Sequence, residues 1–174
     1  DLHASPIREI LAVIDRPGMI SFAGGLPAAE SFPKLDLSDL PSAVLQYGPT
    51  EGEPVLRERV AQDLQELGME CDAQQVLILS GSQQGIDLVG KLFVDQATPV
   101  AVESPTYLAA LQVFRYFGAR LVPFDCRDSG ASFGSERPRF AYAIPTSQSP
   151  TGRCCTSGMR DALAAACDEA DVPL

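Results

Sequence analysis

The sequence predicts an α/β fold, a mostly parallel sheet with helices on both faces. Three observations predict it. Short runs of strand length, at 76–80, 99–104, 119–124 and 139–144, alternate with segments of helical period. Runs such as VLILS and PVAVES are apolar nearly throughout rather than at every second residue, the pattern of strands covered on both sides. Of 174 residues, 45% are hydrophobic and 21% charged, enough apolar surface for one sizeable core.

In order along the chain, SPIREILAVI at 5–14 reads as a short amphipathic helix, with Ser5 as cap and Pro6 at the first helical position. Residues 20–33 are rich in Gly and Pro and read as an irregular extended loop. A short segment at 36–44 fits no single template, and LQYGPTEG at 45–52 is turn-rich. The spacing of Leu56, Val60, Leu64 and Leu67 predicts a helix over 53–67. The first strand, 76–80, runs through Gly81 into a helix over about 84–94, striped by Ile86, Val89 and Phe93. Strand 99–104, helix 106–117, strand 119–124, a polar loop over 125–138, strand 139–144 and helix 156–170 complete the pattern. There is no internal repeat and no low-complexity tract.

The net charge of −10 argues against a nucleic-acid partner, because holding a phosphate backbone needs clustered Lys and Arg. No segment approaches the ~18 consecutive apolar residues of a membrane span, so no membrane partner is expected. The N-terminus lacks the basic and apolar regions of a signal peptide. The five cysteines, Cys71, Cys126, Cys154, Cys155 and Cys167, are odd in number and form no CxxC pair, and His3 is the single histidine. Neither a metal site nor a Cys–His nucleophile is expected; free thiols in the cytoplasm are.

Three junctions carry possible chemistry. At LILSGSQQG, 77–85, a strand turns through Gly81 into a helix start, where unpaired amides, the helix dipole and the Ser82 hydroxyl suit a phosphate. At Glu103-Ser104-Pro105-Thr106-Tyr107 an aromatic ring follows the second strand and can stack on a flat ligand. At IPTSQSPTGR, 144–153, prolines and a glycine make a rigid loop where the fourth strand ends, the edge at which open α/β sheets bind ligands. Taken singly, each also fits a plain turn or a core tyrosine. Together they point to a planar, phosphorylated ligand and do not name it.

SFAGGLP at 21–27, LQYGPTEG at 45–52, SGSQQGIDLVGK at 80–91, VESPTY at 102–107 and IPTSQSPTG at 144–152 stand in an order that resembles the fold-type I, pyridoxal-phosphate-dependent aminotransferases of class I/II. The likeness is greatest to 2-aminoadipate and kynurenine aminotransferases and extends to the aminotransferase-like domain of MocR-type regulators. It implies the N-terminal portion of such an enzyme: residues 1–33 as an arm and helix, and 34–174 as the first part of a pyridoxal 5'-phosphate-binding large domain. It implies that Ser82 and Gln83 bind the cofactor phosphate, that Tyr107 stacks on its ring, and that Tyr47 reaches the phosphate of a neighbouring subunit in a homodimer. Gly24 and Gly25 would lie near the substrate carboxylate, and Arg8 would meet an acidic substrate side chain. The implied reaction moves an amino group from an amino acid to a 2-oxo acid such as 2-oxoglutarate.

Two departures matter. Ser149 stands where the family has an asparagine that donates to the cofactor's phenolic oxygen, and it offers one donor on a shorter side chain. The chain's two lysines, Lys34 and Lys91, match neither the cofactor-linking lysine nor its position, so no catalytic residue is assigned and this chain alone is expected to be inert. The family places the first strand at a sheet edge away from those at 99–104, 119–124 and 139–144, with later strands between, so open edges and exposed apolar faces are expected. The alternatives are the effector domain of a MocR-type transcription regulator, a pseudoenzyme, or an unrelated phosphate-binding α/β domain.

Overall fold

The computed structural model describes residues 13, 14, 16–20, 22, 25, 27–125, 133 and 137–174. It divides into two compact units, Asp1–Tyr47 and Gly48–Leu174. In the first, short 3-10 turns cover Ala29–Ser31 and Ser42–Leu45. The Asp36 carboxylate accepts the Ser38 hydroxyl at 2.6 Å and its N–H at 3.0 Å, and these bonds lower its pKa. The helix expected at 5–14 lies outside the described residues, apart from positions 13 and 14.

Among its described residues the second unit holds a sheet, four α-helices and a 3-10 turn at Ala73–Gln75. Helix α1, Pro54–Glu66, begins with Pro54 in the first turn, where a missing N–H costs nothing. It ends at Gly68, whose φ of 87° suits the left-handed residue after a helix, with Met69 N–H closing on Leu64 O at 3.0 Å. Helix α2 is Ser82–Phe93, α3 is Leu108–Tyr116 and α4 is Ser157–Ala170. Thr156 caps α4 by accepting Met159 N–H at 3.3 Å.

Strands β1 (Pro99–Glu103), β2 (Arg120–Phe124) and β3 (Ala141–Tyr142) form a parallel sheet in the order β2-β1-β3. Val100 pairs with Leu121, and Ala101 with both Val122 and Ala141. Alternation along β1 builds two cores. Val100 and Val102 join Ala110 and Phe114 of α3, Phe140, and partly buried Ile86 of α2. Ala101 joins Phe124 with Leu163 and Cys167 of α4 on the other face. Helices on both faces of a parallel sheet are therefore observed, as the continuous apolar runs predict. The Phe114 ring meets Phe140 and Tyr142 edge-on, with centroids 5.3 and 5.6 Å apart.

Residues 76–80 correct the sequence reading. They belong to no ladder among the described residues. Ile78 N–H donates to Glu51 O at 2.9 Å, Val76 O accepts Arg57 Nε at 2.9 Å, and Leu77 is half exposed. A strand exists only through its neighbours, and the sheet described here ends with β3, which does not pair with this segment. The fourth strand is also shorter than the predicted 139–144. Arg139 N–H still reaches Pro99 O at 2.7 Å, and beyond Tyr142 a side chain takes over from the backbone ladder, as described next.

Candidate functional site

Because β2 and β3 flank β1 on opposite sides, the carboxyl ends of β1 and β3 border a topological switch point. In open parallel sheets the crevice at such a point is where ligands bind. The segments after β1 and β3 are 104–107 and 144–153, two of the junctions singled out above.

Gly81 holds φ at 89°, a conformation that costs little only for glycine, and turns the chain into α2. Space beside it is open: a Cβ there would meet nothing within 4 Å. The first amides of α2, among them those of Ser82 and Gln83, have no partner within the helix and carry its positive end. Ser80 N–H is occupied by Gln84 Oε1 at 2.6 Å, which holds the turn. The Tyr107 hydroxyl donates to Gln83 Oε1 at 3.5 Å, a long bond that places the half-buried ring beside the helix start. Three of the predicted residues, Ser82, Gln83 and Tyr107, are thus brought together. An anion at the amides and a flat ring against Tyr107 is the chemistry this arrangement offers.

Ser149 is exposed on the loop after β3. The loop is tied to its neighbour by two side chains that the sequence reading passed over. Glu103, the last residue of β1 and 5% exposed, accepts Ile144 N–H at 2.6 Å. Gln148, 8% exposed, donates to Pro105 O at 2.7 Å and accepts from Thr151 N and Oγ1 at 3.1 and 2.7 Å. Ser147, at φ 49°, turns the chain so that its N–H meets Cys154 Sγ at 3.2 Å.

Tyr142 was also missed. Burial raises its phenol pKa, with the nearby Tyr107 and Glu103 adding to the effect, so it stays neutral at the crevice. With Ser82, Ile86, Phe93 and Phe114 it lines an apolar cavity of about 550 Å³ between α2 and β3. Thr106 Oγ1 is buried without a hydrogen-bond partner, next to Tyr107.

Arg8 and Gly24 lie outside the described residues. Gly25, at φ 58°, and Tyr47, 99% exposed, belong to the first unit. Lys91 sits in the last turn of α2, about 14 Å along the helix from Ser82. Among the described residues no group of His, Cys, Asp and Glu could hold a metal ion, and no helix is long and apolar enough to cross a membrane.

The sequence model of the class I and II aminotransferases matches residues 27–169. Over 166 residues the chain is 43% identical to the 2-aminoadipate transaminase of Thermus thermophilus, covering 87% of this chain and 41% of that one. A solved α-aminoadipate aminotransferase from the same organism, complexed with N-(5'-phosphopyridoxyl)-L-leucine, superposes with a TM-score of 0.80 at 39% identity, over 97% of this chain and 45% of that one. The kynurenine aminotransferase of Pyrococcus horikoshii gives a TM-score of 0.84 at 31% identity, over 99% of this chain and 48% of that one. The chain spans less than half the length of each of these relatives.

Proposed function

Since the chain belongs to the class I and II aminotransferases, we propose that the protein it represents transfers an amino group from an amino acid to a 2-oxo acid such as 2-oxoglutarate. The family's cofactor is pyridoxal 5'-phosphate, and the residues at the crevice fit it. The observation that carries the reading is the meeting of Ser82, Gln83 and Tyr107 where α2 begins.

Each side chain has a task in this reading. The amides and hydroxyl of Ser82 and Gln83 donate to the phosphate, where the helix dipole favours its charge. Tyr107 covers one face of the pyridine ring and excludes water from it. The Ser149 hydroxyl donates to the phenolic oxygen, with one bond where an asparagine amide has two hydrogens. When bound, the cofactor supplies an electron sink for the charge left at the substrate's α-carbon. Neither Lys91, at the far end of α2, nor Lys34 is assigned the movement of the α-proton.

The remaining roles rest on the resemblance. Gly24 and Gly25 flank the substrate carboxylate, Arg8 meets an acidic side chain, and Tyr47 serves the neighbouring subunit's phosphate in a homodimer. Exposed apolar groups in the first unit support a partner surface: Phe22 and Tyr47 are 99% exposed and Leu45 87%. A cytoplasmic location belongs to this reading, supported by the odd cysteine number. The names of the two relatives make 2-aminoadipate and kynurenine the first donors to assay.

The test is to supply the full-length protein with pyridoxal 5'-phosphate, 2-oxoglutarate and each donor, and to measure glutamate. Glutamate formation with at least one donor is expected. Replacing Ser82 and Gln83 together by alanine is expected to weaken cofactor binding about tenfold or more. Absence of both cofactor binding and glutamate with every amino-acid donor would sink the reading.

A further inference from the structure

We propose that Glu103 and Gln148 are positioning residues: they hold the 144–152 loop, and with it the Ser149 hydroxyl, against the segment that carries Tyr107. The proposal rests on the cofactor reading above and goes beyond it, because that reading assigns neither residue a contact with the cofactor.

The two ties act at different points of one loop. Backbone pairing between β1 and β3 covers Ala101 with Ala141 and Val102 with Tyr142. Beyond it the Glu103 carboxylate extends the connection, accepting Ile144 N–H at 2.6 Å where the loop leaves the sheet. Gln148, immediately before Ser149, bridges in both directions: its Nε2 reaches Pro105 O at 2.7 Å and its Oε1 gathers Thr151 N and Oγ1. One tie therefore fixes the root of the loop, and the other fixes the residue next to the proposed donor.

A cavity lies beside the loop. Glu103, Pro105, Gln148, Thr151 and Arg153 line a cavity of about 350 Å³. On the far side of the loop Thr146 Oγ1 accepts Arg160 Nη2 at 3.0 Å and Pro145 O accepts Cys155 N–H at 2.8 Å, while the directional bonds of two buried polar side chains, Glu103 and Gln148, tie it to the end of β1 and the segment after it. A carboxylate and an amide are 5% and 8% exposed here, and buried polar groups of this kind are tolerated when their bonds are made. A charge-assisted bond to a backbone N–H is among the stronger of these.

The experiment uses full-length protein and compares wild type with Glu103→Ala, Glu103→Gln, Gln148→Ala, Ser149→Ala and the double variant Glu103→Ala/Ser149→Ala. Two quantities are read: the dissociation constant for pyridoxal 5'-phosphate and the pH midpoint of the bound cofactor's visible absorbance. Glu103→Ala and Gln148→Ala are expected to raise the dissociation constant about tenfold and to move the midpoint in the same direction as Ser149→Ala. Glu103→Gln keeps an acceptor oxygen facing Ile144 and is expected to stay within about twofold of wild type. The double variant is expected to be no worse than the poorer single variant, because both act through one contact. A Glu103→Ala protein that melts earlier yet matches wild type in both readings overturns the proposal, as do additive effects in the double variant. Should Glu103→Ala not fold, Gln148→Ala reads the same two quantities. A wild-type protein that binds no cofactor overturns the functional reading as well, an outcome distinct from variants that behave like a cofactor-binding wild type.

Discussion

The Cys167 thiol lies on α4, 3% exposed, in the cluster that holds Leu163, Phe124 and Ala101. Burial, with the neighbouring Asp168 carboxylate second, raises its pKa, whereas Cys154 is exposed. A thiol whose pKa is higher in the folded than in the unfolded chain favours folding while both forms are protonated. That contribution is complete below the ordinary thiol value, about 8.5, and is lost as pH rises from there through the raised folded value. Urea stability should accordingly fall above about pH 8.5, and Cys167→Ala should flatten that part of the curve at the expense of a lower plateau. A thiol-specific disulfide reagent at neutral pH should label Cys154 in the folded protein and Cys167 only after unfolding, as read by peptide mass mapping. Equal labelling rates at the two positions would contradict the burial. At this scale the sequence located Ser82 and Tyr107 at the starts of α2 and α3, because turn and helix signals close to them in the chain place them there. The surroundings of Glu103, Gln148 and Tyr142 were not legible, since their partners lie far along the chain: Glu103 meets Ile144, Gln148 meets Pro105, and the Tyr142 ring meets Phe114.

Helices were legible as elements because each carries its own period and punctuation. Helix α4 begins at the Thr156 cap, and α2 begins one residue after Gly81. The strand predicted at 76–80 is absent for the opposite reason: an apolar run states only a capacity to pair, and among the described residues no strand lies beside it, in keeping with the separation that the resemblance implied. Contacts between elements were equally hidden. Gly90, entering the last turn of α2, looks like a weak point in a helix, where alanine would be preferred by about 1 kcal/mol. Yet a Cβ there would stand 2.8 Å from Phe117 Cδ2 and 3.3 Å from Val113 Cγ1, so the missing side chain is what lets α2 and α3 approach. Overpacking of this kind costs about 1–3 kcal/mol, more than the propensity gain. Gly158, in the first turn of α4, has nothing within 4 Å of the corresponding position. The two substitutions should therefore differ in sign: Gly90→Ala lowers stability by about 1 kcal/mol, and Gly158→Ala raises it by about 0.5 kcal/mol. Urea denaturation of both variants checks this, and a stabilising Gly90→Ala would mean that the Phe117 ring swings aside freely.

For the molecule as a whole, the apolar surface that the second unit leaves uncovered is the dominant fact. The face of α2 carrying Val89 and Phe93 is 37% and 46% exposed at those positions, and Leu92 is 72% exposed. This face and β3 enclose the cavity of about 550 Å³ that Ser82 and Tyr142 also line. On the open side of β3, Pro173 O accepts Ala141 N–H at 2.8 Å, while Val172 is buried in the α4 core. Exposed apolar area on this scale attracts a partner surface or an amphipathic dye. Residues 1–174 expressed alone should bind anilinonaphthalene sulfonate with strongly enhanced fluorescence. The full-length protein should show much less, because relatives of this family are more than twice as long as the matched region. Replacing Ile86 by aspartate in residues 1–174 should cut the signal, since that side chain lines the cavity and packs against the apolar cluster of Val100 and Phe114. Fluorescence equally low in both proteins would mean that the cavity closes by a rearrangement of α2 onto β3. The crevice geometry at Ser82, Gln83 and Tyr107 would then have to be argued again from a different placement of that helix.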